Sequence, residues 1–164
     1  MEKPIKIIVL FTFFVLYSCS SFDVVANKNT SVKEVKRIAV FNIKNISQTD
    51  GANLAEFIGV EFLRHGYDVV ERSILESIIK EQSLSQSGLV DDQTAAKIGK
   101  LAGADTVVIG SGKYSNGKLE VLVIKLVSAE TSSVLLAAQS EEALSMEEAA
   151  KKAVKEIHDY IIRP

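Results

Sequence analysis

Residues 106–140 read TVVIGSGKYSNGKLEVLVIKLVSAETSSVLLAAQS, and this stretch decides which fold the chain can adopt. Within it the pair Asn116-Gly117 predicts a two-residue hairpin, because both central residues of a type I′ turn need a positive φ. The flanking runs are rich in Val, Ile and Leu, and Leu119–Val127 alternates apolar with polar side chains. After a short polar turn, Val134–Ser140 returns as another strand. We therefore expect three consecutive antiparallel strands.

Upstream of this stretch, strands alternate with helices. The pattern predicts a strand over 36–43, a helix over 50–65 capped by Asp50, a short strand over 67–71, a helix opening on a capping box at Ser73 and Glu76, and a helix capped by Asp91 or Asp92 with Ala95, Ile98 and Leu101 facing inward. A second capping box, Ser145 and Glu148, opens the last helix. The predicted element order is β-α-β-α-α-β-β-β-α.

This order predicts an α/β fold: a mixed parallel/antiparallel sheet packed with helices, in two layers around one core. Parallel neighbours need a crossover helix, so the first half of the sheet should be parallel and the hairpin half antiparallel. The 164 residues are enough for one such domain after a leader. A net charge of -2 with both signs interspersed offers no basic footprint for nucleic acid, so we expect no nucleic-acid partner.

The amino terminus has the pattern of a lipoprotein leader. Lys3 and Lys6 precede an apolar run over 7–16, which is too short to span about 30 Å of hydrocarbon but has the length of a signal-peptide core. Leu16-Tyr17-Ser18-Cys19 then resembles the lipobox of the lipoprotein signal peptidase, with a bulkier residue than usual at Tyr17. We expect a signal peptide over 1–18 and lipidation of Cys19. The alternatives are an incidental Cys in a secreted protein and an uncleaved anchor helix.

A lipid on Cys19 would make a membrane the first partner of the protein. Acyl chains contribute about 0.8 kcal/mol per buried methylene, so a multiply acylated Cys holds its protein at the bilayer. Residues 19–36 are largely polar and are expected to form a flexible tether, with the folded domain over 37–164. Ser20 is not the Asp that retains lipoproteins at the inner membrane of enteric bacteria. We therefore expect the outer membrane, with the domain facing the periplasm.

Four further stretches carry a family resemblance. They are Val70-Glu71-Arg72 through Leu75, Ile79-Lys80-Glu81-Gln82, Leu84-Ser85-Gln86-Ser87-Gly88 and Ile98-Gly99-Lys100-Leu101-Ala102-Gly103-Ala104-Asp105. Together they resemble the signature of the curli-secretion CsgG family, over roughly Ile38 to Thr131. The resemblance implies a fold similar to the amino-terminal domain of TolB and to LpoB-type activators of penicillin-binding proteins. It also implies a periplasmic lipoprotein that works through contacts with envelope proteins or as a homo-oligomer.

One departure from the family bears on function. Channel-forming members carry long amphipathic hairpins, and each membrane-crossing strand needs about nine to eleven residues. Here the connections after Gly112 and after Ala129 are only a few residues long. We therefore expect an accessory or assembly component of a secretion, surface-fibre or flagellar-type machine. The alternative is a regulator of a cell-wall synthase, reached through a flexible tether.

Side chains for metal or nucleophilic chemistry are sparse. His65 and His158 lie far apart in the sequence, no HExxH occurs, and Cys19 is the single Cys, so no disulfide, thiolate metal site or Cys-His pair can form in the domain. Both His residues are expected at helix ends or on the surface. Gly110-Ser111-Gly112-Lys113 departs from the phosphate-loop spacing and is better explained as the end of a strand.

The remaining charged candidates have structural explanations. Asp91 and Asp92 precede a predicted helix, where capping is the simpler role than paired acid-base catalysis. Glu71 and Arg72 are expected to form a structural ion pair. We therefore expect no enzyme, no cofactor and no metal. An enzymatic function would need a cleft with strongly perturbed carboxylates, which the sequence does not reveal.

Overall fold

The computed structural model describes residues 22–28, 32, 35–82 and 90–163. Their elements are β1 (Asp23–Ala26), β2 (Arg37–Val40), α1 (Gln48–Arg64), β3 (Asp68–Val69), α2 (Arg72–Glu81), α3 (Asp92–Leu101), β4 (Thr106–Ser115), β5 (Lys118–Ser128), β6 (Val134–Ser140) and α4 (Met146–Ile161). From β2 onward the elements follow the predicted order, and the α/β class with a mixed sheet is confirmed. The predicted signal peptide, Cys19 and the Leu84–Gly88 part of the family stretch lie outside the described residues.

The strands of the described residues form one sheet in the order β1-β6-β5-β4-β2-β3. β2 pairs in parallel with both β3 and β4, because helices carry the chain back between these strands. β4, β5, β6 and β1 pair antiparallel. In the β4–β5 hairpin, Asn116 has φ 51° and Gly117 has φ 76°, as the predicted turn requires. The predicted parallel and antiparallel halves are therefore both confirmed.

β1 corrects the expected start of the domain. It pairs with β6, with Asp23 opposite Gln139, and Phe22 just before it is 4% exposed within the core. The prediction of a flexible tether over 19–36 is therefore wrong for Phe22–Ala26, which belong to the folded domain. A strand of this length gains its hydrogen bonds from a partner far along the chain. β1 was not predicted from the sequence because the residues around it are largely polar.

Helices cover both faces of the sheet at its centre. α1 and α4 pack in one buried cluster that includes Ile38 and Val108, whereas α2 and α3 pack in a second cluster that includes Ala39 and Val107. Successive residues of a strand point to opposite faces, so the centres of β2 and β4 are buried on both sides. The domain therefore has three layers and two clusters, where the sequence predicted two layers around one core. The pattern of an amphipathic helix does not tell which face of a sheet it covers.

α3 approaches β4 closely at Gly99. A methyl group at this position would overlap Cγ1 of Val107, so only glycine fits unless the Val107 side chain moves. The buried stripe of the helix consists of Ala95, Ala96, Ile98 and Gly99. Leu101, which was predicted to face inward, lies outside that stripe and is 56% exposed.

Two predicted helix starts are wrong by a few residues. α1 is capped by Ser47, whose Oγ accepts a hydrogen bond of 3.1 Å from the N–H of Asp50, so the helix begins before Asp50. α2 begins at Arg72, and the capping box predicted at Ser73 does not form. In both cases the added residues are exposed, so the apolar pattern of the helix carries no signal for them.

Candidate functional site

A cleft of about 810 Å³ lies between α1 and α2 beside the carboxyl end of β2. The connection from β2 to β3 passes over one face of the sheet through α1, and the connection from β3 to β4 passes over the other face through α2 and α3. Crevices at such a divergence are the usual binding places of α/β sheets. Its apolar floor includes Phe41, Leu75 and Ile79, and its polar rim includes Asn42, Gln48, Thr49, Asn53, Arg72, Ser73, Glu76, Ser77 and Lys80.

Arg72 organises the rim of this cleft. Its Nη2 donates a hydrogen bond of 2.9 Å to Oδ1 of Asn42, and its Nε donates one of 2.7 Å to Oε1 of Glu76. The guanidinium thus joins the segment after β2 to the first turn of α2. The ion pair predicted between Glu71 and Arg72 is wrong, because one helical turn brings Glu76 rather than Glu71 beside Arg72. The role of Asn42 was missed, although a polar residue directly after a buried parallel strand is a usable signal.

The chemistry of the cleft suits hydrogen bonding to another molecule. Its lining residues include hydroxyl, amide and ammonium groups but neither a His nor a Cys, and its carboxylate, Glu76, is engaged by Arg72. An amphipathic surface of this kind can contact a polypeptide through its apolar floor and its polar rim. Two of its hydroxyls, those of Ser73 and Ser77, donate long hydrogen bonds of 3.4 Å to the exposed carboxylates of Glu71 and Glu81.

His65 and His158 meet at the carboxyl ends of α1 and α4. Their ring centroids are 4.7 Å apart, and the hydroxyl of Tyr67 lies 3.1 Å from Nδ1 of His158. Burial raises the pKa of the Tyr67 phenol. The predicted position of both His residues at helix ends is confirmed, whereas their contact was not foreseen. Within the described part of the chain, no group of three or more His, Cys, Asp or Glu side chains could hold a metal ion.

Asp91 and Asp92 do not act as a carboxylate pair. Asp91 caps α3 by accepting hydrogen bonds from the N–H groups of Gln93 and Thr94, and the Thr94 hydroxyl, the largest influence, helps to hold the pKa of Asp91 below its ordinary value. Asp92 forms an ion pair of 3.4 Å with Lys125. The predicted capping role is therefore confirmed.

The segment Gly110–Lys113 is a continuous part of β4, paired residue by residue with β5. Its backbone amides are engaged in a sheet rather than gathered around a phosphate, and a methyl added at Gly110 would lie 2.6 Å from the carbonyl oxygen of Val123. The interpretation of this segment as a strand entering a hairpin is confirmed.

Asp105, the last residue of the family stretch, fastens the start of β2. Its Oδ2 accepts hydrogen bonds from the backbone N–H groups of Lys36 at 3.1 Å and Arg37 at 2.8 Å, and its own N–H donates to the Arg37 carbonyl at 3.0 Å. The sequence singled out this residue through the family resemblance but did not indicate its role. The role is structural, because it joins the beginnings of two parallel strands.

Cys19 lies three positions before Phe22, which is the first residue that the structure describes and is buried. Among the helices of the described residues, none has both the length and the apolar character that a membrane crossing requires. Cys19 is thus close in sequence to the start of β1.

Comparison with known proteins gives one family and several solved structures with the same fold. The model of the family described as "Curli production assembly/transport component CsgG" matches residues 19–113. Among solved structures, the LpoB C-terminal domain from Salmonella enterica is similar with a TM-score of 0.54 and 14% identity, covering 72% of this chain and 87% of that chain. No curated protein matches.

Two further solved structures share the fold. Lipoprotein GNA1162 from Neisseria meningitidis has a TM-score of 0.52 and 12% identity, covering 77% of this chain and 93% of that one. The PelC dodecamer from Paraburkholderia phytofirmans has a TM-score of 0.50 and 11% identity, covering 88% and 98%. At these identities the likeness establishes the fold, and the predicted similarity to LpoB is confirmed at that level.

The family match is more informative, because it spans more than half of the chain and contains every residue that lines the cleft. The Arg72 network and the Asp105 fastening also lie within it. The chain belongs to the CsgG family of curli production assembly/transport components.

Proposed function

We propose that this protein is a lipoprotein of the bacterial envelope that works through protein contacts, as an accessory or assembly component of a secretion, surface-fibre or flagellar-type machine. The observation that carries the proposal is the family match, which begins at Cys19, the residue that the leader pattern marks for lipidation. Ser20 favours the outer membrane, with the domain facing the periplasm. The protein would act without catalysis, cofactor or metal.

The cleft supports a role in protein contact. It combines an apolar floor with a rim that Arg72 holds in place. Interfaces commonly place such a guanidinium beside apolar side chains. We expect a partner segment to bind there, whether it belongs to another envelope protein or to a second copy of the chain.

The alternative is regulation of a cell-wall synthase, and the likeness to LpoB in fold supports it. That function depends on a flexible tether able to reach inward from the membrane. Because only two residues separate Cys19 from the buried Phe22, the connection at this point is short. The spacing therefore favours an assembly component whose partners lie close to the membrane.

The anchor is tested by comparing the wild type with Cys19→Ala and with Ser20→Ala as the matched control. We expect the mature wild-type amino terminus to carry acyl chains by mass spectrometry and to fractionate with the outer membrane, as should Ser20→Ala. Cys19→Ala should lose the modification and leave the membrane fraction. An unmodified wild-type terminus would contradict the proposal.

The contact is tested with a photo-crosslinking amino acid at Ser77 in the cleft and, as a control, at Lys97 on the exposed side of α3. We expect a discrete envelope-protein adduct from position 77 in living cells, its loss in an Arg72→Ala background, and no such adduct from position 97. Equal labelling from both positions would show that the cleft is not the contact surface. If neither position gave an adduct, the assembly function would lose its support.

A further inference from the structure

The distance between the predicted lipid site and the folded body is bounded by covalent geometry. Three residues span at most about 11 Å when fully extended, so Cys19 lies within that distance of Phe22. Phe22 is buried, and the next residue, Asp23, pairs with Gln139 of β6. The point where the anchor joins the domain is therefore fixed to one corner of the sheet.

The register of the strands shows which other residues share that end of the sheet. Asp23 is level with Gln139, which is level with Val123, which is level with Ser111. From Ser111, β4 continues for four residues before the hairpin turns at Asn116. These residues extend toward the same end of the sheet as the chain that precedes Asp23. At about 3.3 Å per residue, the hairpin extends roughly 13 Å beyond the level of Asp23.

The tip of the hairpin therefore reaches as far toward this end as the connection to Cys19 can. Acyl chains hold a modified Cys at the boundary between headgroups and hydrocarbon. We infer that the β4–β5 hairpin, Tyr114–Lys118, contacts the lipid headgroups and that the strands point with this end toward the membrane. This inference rests on the proposed lipidation of Cys19. The partner of the hairpin surface is therefore the lipid bilayer itself.

The side chains of the hairpin are compatible with headgroups. Tyr114 is 37% exposed, and the amphipathic ring of tyrosine is favoured at the membrane–water interface. Lys118 is exposed, and Lys113 is already neutralised by an ion pair of 2.7 Å with Glu120. The turn itself, Asn116-Gly117, is uncharged. The ammonium of Lys118 can remain among the headgroup phosphates, so contact with the headgroups does not require this charge to be buried.

The opposite end of the sheet then faces away from the membrane. It holds the turn between β5 and β6, with the exposed Thr131, and the carboxyl ends of α1 and α4, where His65 meets His158. β5 has eleven residues, so its two ends are about 35 Å apart. Positions 118 and 131 thus form a matched pair for measuring orientation.

The experiment uses the full lipidated protein in vesicles of phosphatidylethanolamine and phosphatidylglycerol. The chain has one native Cys, whose sulfur is consumed by the lipid, so Lys118→Cys and Thr131→Cys each offer a single thiol for a fluorescent label. Vesicles with a quencher attached to the lipid headgroup should quench the label at 118 several-fold more than the label at 131. Flotation of the same samples reports the anchor independently.

A third variant carries a flexible insert of about 15 Gly and Ser residues between Ser20 and Ser21, which frees the body from the anchor. It should still float with the vesicles, but the difference in quenching between 118 and 131 should shrink. Equal quenching at both positions without the insert, in protein that floats, would overturn the orientation and leave the anchor standing. Failure to float would overturn the anchor and the orientation together.

Discussion

The two halves of the sheet are built differently. β3, β2 and β4 are parallel to one another and are covered by helices on both faces, and they hold the cleft. β5, β6 and β1 are antiparallel and pack on the cluster of α1 and α4, while their other face carries less buried residues such as Val25, which is 63% exposed, and Gln139. We call β3, β2 and β4 the closed half and β5, β6 and β1 the open half. The closed half can position a rigid site, whereas the open half lies beside the predicted anchor.

This difference follows from the residue pattern of the strands. In β4 the residues Thr106–Ile109 are all buried, as in a strand with helices on both sides. In β6, buried positions are interrupted by exposed or half-buried ones, and in β1 exposed residues alternate with half-buried ones. A substitution in the closed half should therefore be costly on either face of a strand, and in the open half on one face only.

The largest expected effect comes from comparing the two faces of one strand of the open half, β5. Ile124 of β5 is fully buried against α1 and α4, so Ile124→Ala should reduce the free energy of unfolding by about 2–5 kcal/mol. Its neighbour Val123 faces the open side and is half-buried, so Val123→Ala should cost about 1 kcal/mol or less. Urea denaturation measures both. Similar losses at the two positions would mean that the second face is covered as well.

A smaller effect is expected from the close packing of α3 on the closed half. Gly99→Ala should cost about 1–3 kcal/mol through overlap with Val107. Gly59→Ala is the matched control, because its added methyl would meet Val69 at an ordinary 3.6 Å and should gain up to about 1 kcal/mol of helix propensity. Thermal unfolding should show a lower midpoint for Gly99→Ala and a higher midpoint for Gly59→Ala than for the wild type. Adding Val107→Ala should recover part of the loss in Gly99→Ala, and no recovery would contradict the stated cause.

Loss of the Asp105 fastening should have a comparable or smaller effect. Asp105→Ala removes the acceptor of two backbone N–H groups and should cost about 1–2 kcal/mol. Asp68→Ala breaks only an exposed ion pair of 3.5 Å with the Arg37 side chain and should cost about 0.5 kcal/mol or less. Hydrogen exchange at the amides of Lys36 and Arg37 should accelerate in the first variant alone. Unchanged exchange would show that other groups hold the start of β2.

The smallest effect concerns the capping box of α4, the helix that covers the open half on its one packed face. Hydrogen bonds from the Ser145 hydroxyl and then the Ser145 N–H lower the pKa of Glu148 below its ordinary 4.5. A lowered folded pKa gives stability that is present at neutral pH and is lost as the pH falls through that pKa. The unfolding midpoint of the wild type should therefore exceed that of Glu148→Gln at neutral pH, with a gap that narrows below pH 4.5. A gap independent of pH would contradict the capping role.

Features that depend on neighbours in sequence were predictable. The Asn116-Gly117 hairpin, the Asp91 cap and the capping box of Ser145 and Glu148 are each specified within a few residues, and all three form. The parallel pairing of the first half could be predicted from its helical connections. A helix between two strands carries the chain back to the starting end of the sheet, so that the second strand runs parallel to the first.

Features that depend on distant partners were not predictable from the pattern. β1 is a strand because β6 lies beside it, more than a hundred residues later. Arg72 selects Glu76 and Asn42 instead of Glu71 because the end of β2 approaches the start of α2. The contact of His65 with His158 likewise exists only when α1 and α4 share one face of the sheet. Such contacts are set by packing, and no local pattern encodes them.

The burial of Phe22 has a mechanical consequence for a protein held at its amino terminus. Tension on the proposed anchor would enter the domain along β1, whose hydrogen bonds to β6 run across the direction of pull. Such a geometry resists by shear, with the bonds of the ladder strained together rather than opened one after another. Phe22 and β1 would thus transmit force from the membrane straight into the sheet.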